Sequence, residues 1–451
     1  MTQTTTRVEP AKPAEPDRPS PRPVRDTGAA RSSAGSPRRG YRFFLAMVGL
    51  VALHVADDSF LQPQPGTSAG DHLVSGLVPL TMLGLAAAVY PRVRGGARAA
   101  IALLVGVFGI VAGIEAAHYT TQVGPSGDDF TGLLCLPAGA CLIGLGLVTL
   151  WTSRRRHGGV ARRVLRRGAI GVAAAFLAVF VVFPIGYAYV GTHAARPPVD
   201  DIDLGSTAVE DVELHTSDGL TLEGSYVPSE NGAAVIVAFG RKGTQDPARM
   251  LARHGYGVLI FDRRGEGESD GNPNPYAWDE GERDLLAAID FLKQRPDVEP
   301  GRIGGLGLSV GGETFLQAAA HSEDLKAVVS EGATVRSVGE LLSVSGSQAG
   351  PVAINTVITA ATAVFSDSSP PTHLVDLVDE IAPRAMFLIY SPKDDPDEER
   401  FNTAFYQAAG RPKAIWEVPE AGHVGAQDAR PREYDERVTR FFDQTLGKEG
   451  P

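Results

Sequence analysis

Cysteine is nearly absent from this 451-residue chain: Cys135 and Cys141 are the only two, and both fall in one apolar run. Six residues apart on a helix they point in different directions and cannot easily bridge, so they read as apolar packing residues and not as a disulfide or a metal site. The rest of the chain has no cysteine at all, which suits either redox compartment. Residues 1–40 have almost no large apolar side chains and are rich in Pro, Arg, Thr, Ser and Ala. Such a segment buries too little surface to offset its ordering entropy, and the expectation is a disordered tail. It also lacks the short apolar core and cleavage site of a secretory signal.

Each half of the chain is short of charge of one sign, the first of acidic and the second of basic residues. Residues 1–191 hold 19 Lys/Arg against 10 Asp/Glu, a net of +9; residues 192–451 hold 23 against 43, a net of −20, which together make the chain's −11. The two halves belong in different surroundings. Within the first, five apolar stretches, about Phe43 to Phe60, Leu73 to Tyr90, Ala99 to His118, Thr131 to Trp151 and Ala169 to Gly191, each approach the roughly 20 residues that a helix needs to cross a bilayer. Phe43 to Phe60 is the weakest, because His54, Asp57 and Asp58 interrupt it. Glu115 and His118 end the third stretch and are placed at the interface.

The loops between these stretches alternate. Nine Lys/Arg precede Tyr41 or flank it at Arg42, three lie at Arg92, Arg94 and Arg98, and seven lie between Arg154 and Arg167, whereas Asp57 to His72 and Tyr119 to Asp129 have none. Cationic flanks stay cytoplasmic, so this pattern predicts five spans with the N-terminus inside and everything after Gly191 outside the cytoplasm. Trp151, Tyr187 and Tyr189 lie near span ends, as interfacial rings or as packing residues. The expected organisation is a tail over 1–40, a transmembrane region over 41–191, a linker over 192–208 and a soluble domain over 209–447.

In that last region, short β-rich runs alternate with helical ones. Val209 to His215 and Leu220 to Val227 flank the turn residues Ser217-Asp218-Gly219 and predict an antiparallel pair. Ala233 to Phe239, Gly257 to Phe261, Ile303 to Leu308, Leu325 to Ser330, Ala385 to Tyr390 and Ile415 to Val418 have the continuous apolar character of buried parallel strands. Helical stretches separate them, most clearly at Glu280 to Arg295, Gly311 to His321 and Glu398 to Ala409. The α/β class follows, with a mostly parallel sheet of about eight strands whose ligands bind at the strands' carboxyl ends.

Gly307-Leu308-Ser309-Val310-Gly311 stands between one of these strands and the helix after it, the setting of a nucleophile elbow. A serine hydroxyl is a weak nucleophile at neutral pH and needs a histidine base held by an acid. His423 follows the last strand, and Asp394 follows the strand ending at Tyr390, with Asp395 close by and Glu331 a remoter fallback. The order Ser309, Asp394, His423 places each at a strand's carboxyl end. An oxyanion would be held by the amide of Val310 and by one from Gly240 or Arg241.

Asp262-Arg263-Arg264-Gly265-Glu266-Gly267-Glu268-Ser269 resembles the Asp-x-Arg-Gly-x-Gly-x-Ser turn of the α/β-hydrolase superfamily, and Gly307 to Gly312 resembles its nucleophile elbow. With Gly422-His423 and Asp394, the resemblance covers residues 209–447 and is closest to dienelactone hydrolase-like, serine aminopeptidase or prolyl oligopeptidase-like domains. It implies a Ser-His-Asp hydrolase with no metal or organic cofactor, a structural role for the Asp262 to Ser269 turn, and a cap or lid insertion at 332–383. Two departures stand out: Phe239-Gly240 where many members have His-Gly, and Ser391-Pro392-Lys393-Asp394 where many have Gly-x-x-Asp. In the insertion, Leu341, Leu342, Val344, Val352, Ile354, Val357, Ile358, Val364 and Phe365 either line an apolar substrate pocket or cover the sheet.

These residues predict a membrane-anchored, extracytoplasmic serine hydrolase acting on a small ester, thioester or amide, with the lipid bilayer as its support. Its rivals are a peptidase or acyltransferase on envelope components, and a membrane protein whose hydrolase-like domain only binds a ligand. The strongly acidic second half argues against nucleic acid.

Overall fold

The structure is a computed structural model. It describes residues 37–447 except 64–65, 124–128, 154–158, 194–203, 205–208, 239–244, 346–348 and 394–395. The expected tail up to residue 36, most of the expected linker, the Gly240–Arg241 oxyanion loop and the Asp394–Asp395 pair therefore lie outside the described residues.

Six helices come first: α1 (Pro37–Ala56), α2 (Leu73–Val89), α3 (Gly95–Val123), α4 (Asp129–Thr152), α5 (Val160–Leu177) and α6 (Phe183–Thr192). A π-helical turn, Ala178–Val182, joins α5 to α6 into one long rod. The result is five segments long and apolar enough to cross a membrane: Arg39–Leu61, Leu73–Arg92, Gly95–His118, Phe130–Thr152 and Val164–Thr192. α3 and α4 pack with their backbones in near contact, since a Cβ at Gly139 would come within 2.7 Å of the Gly106 carbonyl oxygen. Small residues at a helix crossing allow this approach where apolar burial supplies little drive.

The region is apolar outside and partly polar inside. Every exposed large apolar side chain among the described residues lies between Phe43 and Val190, with Leu342 the exception. His54 and Asp57, the residues that weakened the first stretch, are buried, with Thr131 Oγ1 3.4 Å from His54 Nδ1 and donating to Asp57 Oδ2 at 2.8 Å. Of the three rings near span ends, Trp151 and Tyr187 are exposed, whereas Tyr189 is buried against Phe108 and Phe365.

Eight strands form one sheet: β1 (Glu210–His215), β2 (Thr221–Val227), β3 (Ala234–Ala238), β4 (Gly257–Phe261), β5 (Ile303–Leu308), β6 (Leu325–Glu331), β7 (Ala385–Tyr390) and β8 (Lys413–Glu417). Their spatial order is β1-β2-β4-β3-β5-β6-β7-β8. β1 and β2 pair antiparallel across the Ser217–Gly219 turn, β2 is antiparallel to β4, and every later pairing is parallel. Each strand lies within about two residues of its expected bounds, because runs such as Ala-Val-Ile-Val-Ala are buried on both faces and leave no other reading.

Helices α7 (Gln245–Arg253), α8 (Trp278–Lys293), α9 (Val310–His321), α13 (Pro396–Ala408), α14 (Ala426–Ala429) and α15 (Pro431–Leu446) flank the sheet. One apolar layer joins α8, α9 and α13 to the sheet through Leu285, Phe315 and Phe405; the other joins α7 and α15 through Leu251, Tyr434 and Phe442. Between β6 and β7 stands an insertion made of α10 (Val338–Ser345), α11 (Ala349–Phe365) and α12 (Leu374–Leu377). Its apolar residues meet two different neighbours, one of them the expected sheet and the other the N-terminal helices, which neither expectation named. Leu341 and Val344 pack on the sheet's core, whereas Val357, Val364 and Phe365 face α2, α3 and α6. The insertion is clamped there by Asp367, whose carboxylate accepts the Val74 and Ser75 N–H groups at the start of α2, at 2.7 and 3.1 Å.

Candidate active site

Ser309 sits where β5 turns into α9, with φ 52° and ψ −122°. This is the strained geometry an elbow demands, and L-residues adopt it only where the surroundings enforce it. Glycine at 307 is one such enforcement: a Cβ there would collide with the backbone of Gly311 and Gly312. The Ser309 N–H donates to the Glu331 carbonyl at 2.7 Å, which ties the elbow to the end of β6. The Val310 amide opens α9, in the first turn where N–H groups have no acceptor within the helix.

His423 comes from the loop after β8. Its Nε2 lies 2.9 Å from Ser309 Oγ, and its Nδ1 lies 3.1 Å from Glu398 Oε2. Glu398 occupies the first turn of α13; its side chain is wholly buried, and its other oxygen accepts the Ser391 N–H at 3.1 Å. Serine, imidazole and carboxylate are thus linked in sequence, each coming from beyond the carboxyl end of β5, β8 and β7 respectively.

Two of the three residues expected as a triad are therefore brought together, and Asp394 lies outside the described residues. Glu398 was not among the candidates. It stands in the acidic run Asp394-Asp395-Pro396-Asp397-Glu398-Glu399, where acidic residues in a first helical turn ordinarily face water and complement the helix dipole. One signal separates it from its neighbours: Glu398, Phe401, Asn402 and Phe405 fall at helical spacing on one face, and all four are buried.

Glu331, the remote fallback, ends β6 with its carboxylate buried, accepting the Ala426 N–H at 2.9 Å. Burial pushes it up to about 7; the nearby Glu398 charge acts the same way, while the Ala426 amide and His423 oppose the shift. Glu313, in the first turn of α9, is also buried and is pushed above the usual carboxylate range by that burial. It accepts the N–H and the hydroxyl of Thr334, at 2.9 and 2.7 Å, and so fastens the root of the insertion to α9.

The Asp262 to Ser269 turn makes its contacts with scaffold elements. Ser269 Oγ donates to the Asp262 carbonyl at 2.6 Å and accepts the Glu223 N–H at 2.9 Å. Arg264, buried, pairs with Asp284 of α8 at 2.6 Å and with Asp218 of the β1–β2 turn at 2.8 Å. Partial burial would raise the Asp218 carboxyl, but hydrogen bonds from Arg264 and Thr216 and the charges of Arg264 and of Arg283, 3.1 Å away, hold it down at about 2.

Residues 206–421 match the X-Pro dipeptidyl-peptidase (S15) family. Thiohydrolase aneE of Aspergillus aculeatus is 34% identical over 127 residues, covering 27% of this chain and 40% of that protein. The chain thus spans less than half the length of that relative. The uncharacterised protein YfhR of Escherichia coli K12 is 25% identical over 252 residues, covering 53% of this chain and 82% of its own length. Among solved structures, the α/β hydrolase GrgF from Penicillium is similar, with 21% identity and a TM-score of 0.44 over 53% of this chain and 99% of that one. The esterase Pf2001 of Pyrococcus furiosus has 22% identity and a TM-score of 0.45, over 56% and 99%. The S15 match falls on the residues that carry the sheet, the serine elbow and the loop up to Ala421 just before His423, and the mostly parallel eight-stranded sheet with its serine elbow is an α/β-hydrolase fold that follows a helical region apolar enough to cross a membrane.

Proposed function

We propose that the protein is a membrane-anchored serine hydrolase that cleaves an ester, thioester or amide through an acyl-enzyme. The contact of 2.9 Å between Ser309 Oγ and His423 Nε2 carries this reading. His423 takes the Ser309 proton as Oγ attacks the carbonyl carbon, then delivers it to the leaving oxygen, sulfur or nitrogen as the tetrahedral intermediate collapses. Water repeats the sequence against the acyl-enzyme and releases the acid. The Val310 amide, and one from the loop holding Gly240 and Arg241, donate to the oxyanion.

The acid that orients His423 has two candidates. Asp394 has the chain order and strand position on its side. Glu398 has a buried carboxylate 3.1 Å from Nδ1, and a buried charged acceptor favours the imidazolium formed during transfer. We assign the orienting role to Glu398, with Asp394 as the residue it must be tested against.

The arginine-rich flanks support a cytoplasmic N-terminus and an extracytoplasmic hydrolase domain. The relative named thiohydrolase aneE favours hydrolysis, whereas a second reading, transfer of the acyl group to an alcohol or amine in place of water, draws on the relative named polyketide transferase grgF, 35% identical over 136 residues. Labelling of the full chain by a fluorophosphonate probe tests the nucleophile: Ser309→Ala should abolish it, and labelling that persists in the mutant sinks the assignment. A reporter fused after residue 447 should be active outside the cytoplasm and silent within it.

A further inference from the structure

The insertion helix α11 and the membrane-crossing helices enclose a cavity of ≈ 580 Å³, in the size range of small-molecule sites. α2, α3, α6 with its π-helical turn, and α11 supply the walls. No lining residue carries a charge, and the hydroxyl of Tyr189 is the one polar side-chain group among them. A buried water needs two to four polar partners, so water is a poor occupant. Of the lining residues, Val78, Met82 and Leu104 are exposed, Met82 63% so, and they lie on segments that are long and apolar enough to cross a membrane, so the cavity reaches the outer surface between α2 and α3. On that surface the solvent is hydrocarbon.

α11 is tied to this place by specific contacts. Phe365 meets the Tyr189 ring edge-on at 5.4 Å, and Asp367 two residues later holds the first amides of α2. With 17 residues, α11 is shorter than the roughly 20 needed to span a bilayer, so its apolar surface is satisfied by the other helices and by whatever fills the space between them.

We infer that this cavity is a lipid site, which takes one acyl chain of a bilayer glycerophospholipid entering laterally between α2 and α3. The inference rests on the membrane anchoring proposed above. It makes the insertion that begins directly after Glu331 part hydrolase and part membrane element. An occupied cavity fills the contact between α11 and the bundle, and an empty one leaves Val357 and Val364 facing a void.

The test places the full chain in vesicles of palmitoyl-oleoyl-phosphatidylcholine doped with a phosphatidylcholine that carries a diazirine near the end of one acyl chain. After photolysis, adducts are mapped by mass spectrometry. Adducts are expected on the α11 peptide around Val357 to Phe365 and on α2 around Val78 to Met82. Ala361→Trp, which fills the cavity, should reduce the α11 adducts severalfold, while Val172→Trp, on the outer face of α5 and away from the cavity, should leave them unchanged. Retained fluorophosphonate labelling of Ser309 shows that each variant is folded, and Ala361→Leu serves if the larger residue is not accepted. Adducts around Val172 with none on α11 overturn the cavity assignment and leave the anchoring intact. Adducts on α11 that survive Ala361→Trp place the lipid on the outer surface and overturn it as well. A chain released by carbonate, with no adducts on α5 or α11, overturns the anchoring and the lipid site together.

Discussion

The helical region and the sheet domain obey one burial rule with opposite results. In the sheet domain, large apolar side chains are packed between layers and the charged groups that are buried, such as Arg264, Asp284 and Glu398, have polar partners, with Leu342 the one large apolar residue exposed among the described residues. In the helical region, Val172 is 72% exposed and His54 and Asp57 are buried. Sequence composition is apolar in both interiors; the outer surface is what differs. A surface of Val, Leu and Phe suits an apolar medium, which the proposed membrane anchoring would supply to the helical region and water would not. The cost of placing a charge should invert in the same way, and that gives the comparison its sharpest tests.

The largest effect is expected at the catalytic end of the sheet domain. Glu398→Gln should lower kcat by about 10⁴-fold, as removal of an orienting carboxylate does in serine hydrolases, while Asp394→Asn stays near the parent. The reverse ranking in steady-state assays with a p-nitrophenyl ester would restore Asp394 as the acid. Next comes the buried ion pair: Arg264→Ala leaves Asp284, wholly buried, without its partner. A loss on the order of 3–5 kcal/mol is expected in denaturant unfolding of the sheet domain, against no more than about 0.5 kcal/mol for breaking the exposed Arg249–Asp246 pair.

The direct probe of the two solvents is a charge on each surface. Val172→Arg should cost about 3 kcal/mol of insertion, read as a lost glycosylation or protease-protection pattern, whereas Leu342→Arg should change the stability of the sheet domain by no more than about 0.5 kcal/mol. Equal, small effects would mean that α5 faces water and would break the comparison.

The smallest effect concerns Glu331. Its carboxyl is raised from an ordinary 4.5 to about 7 in the folded chain, so between those values the folded state binds more protons than the unfolded one. Stability should therefore fall as pH rises from about 4.5 to 7, stay reduced above that range, and be free of this penalty below it. Glu331→Gln keeps an acceptor for the Ala426 amide and removes the titration. It should flatten the pH dependence of the melting temperature and add on the order of 1–3 kcal/mol above pH 7. An unchanged pH profile in the mutant would show that Glu331 is not raised.

Much of this molecule was legible in the chain. Strand positions followed from continuous runs such as Gly257–Phe261, because a parallel sheet covered on both faces leaves no alternation to misread. The elbow was legible because only glycine fits at 307. The five apolar segments followed from length and composition. Glu398 was hidden because the identity of a residue in an acidic run says nothing about which way it points; its helical spacing with Phe401 and Phe405 was the one available clue. The placement of α11 was hidden for a different reason. Its Val-, Ala- and Thr-rich sequence fits a sheet cover, a pocket lining and a membrane contact equally well.

Local rules thus set the strands, the strained serine and the outward-facing membrane-length helices, since each depends on the neighbouring residues and the medium alone. Three pairings had to wait for the folded chain: His423 with Glu398, 25 residues apart; Glu331 with the Ala426 amide; and Asp367 with the start of α2, nearly three hundred residues away. Each joins groups whose separation along the chain carries no periodic signal, so only the packing of sheet, insertion and bundle decides which of many chemically equivalent partners they meet.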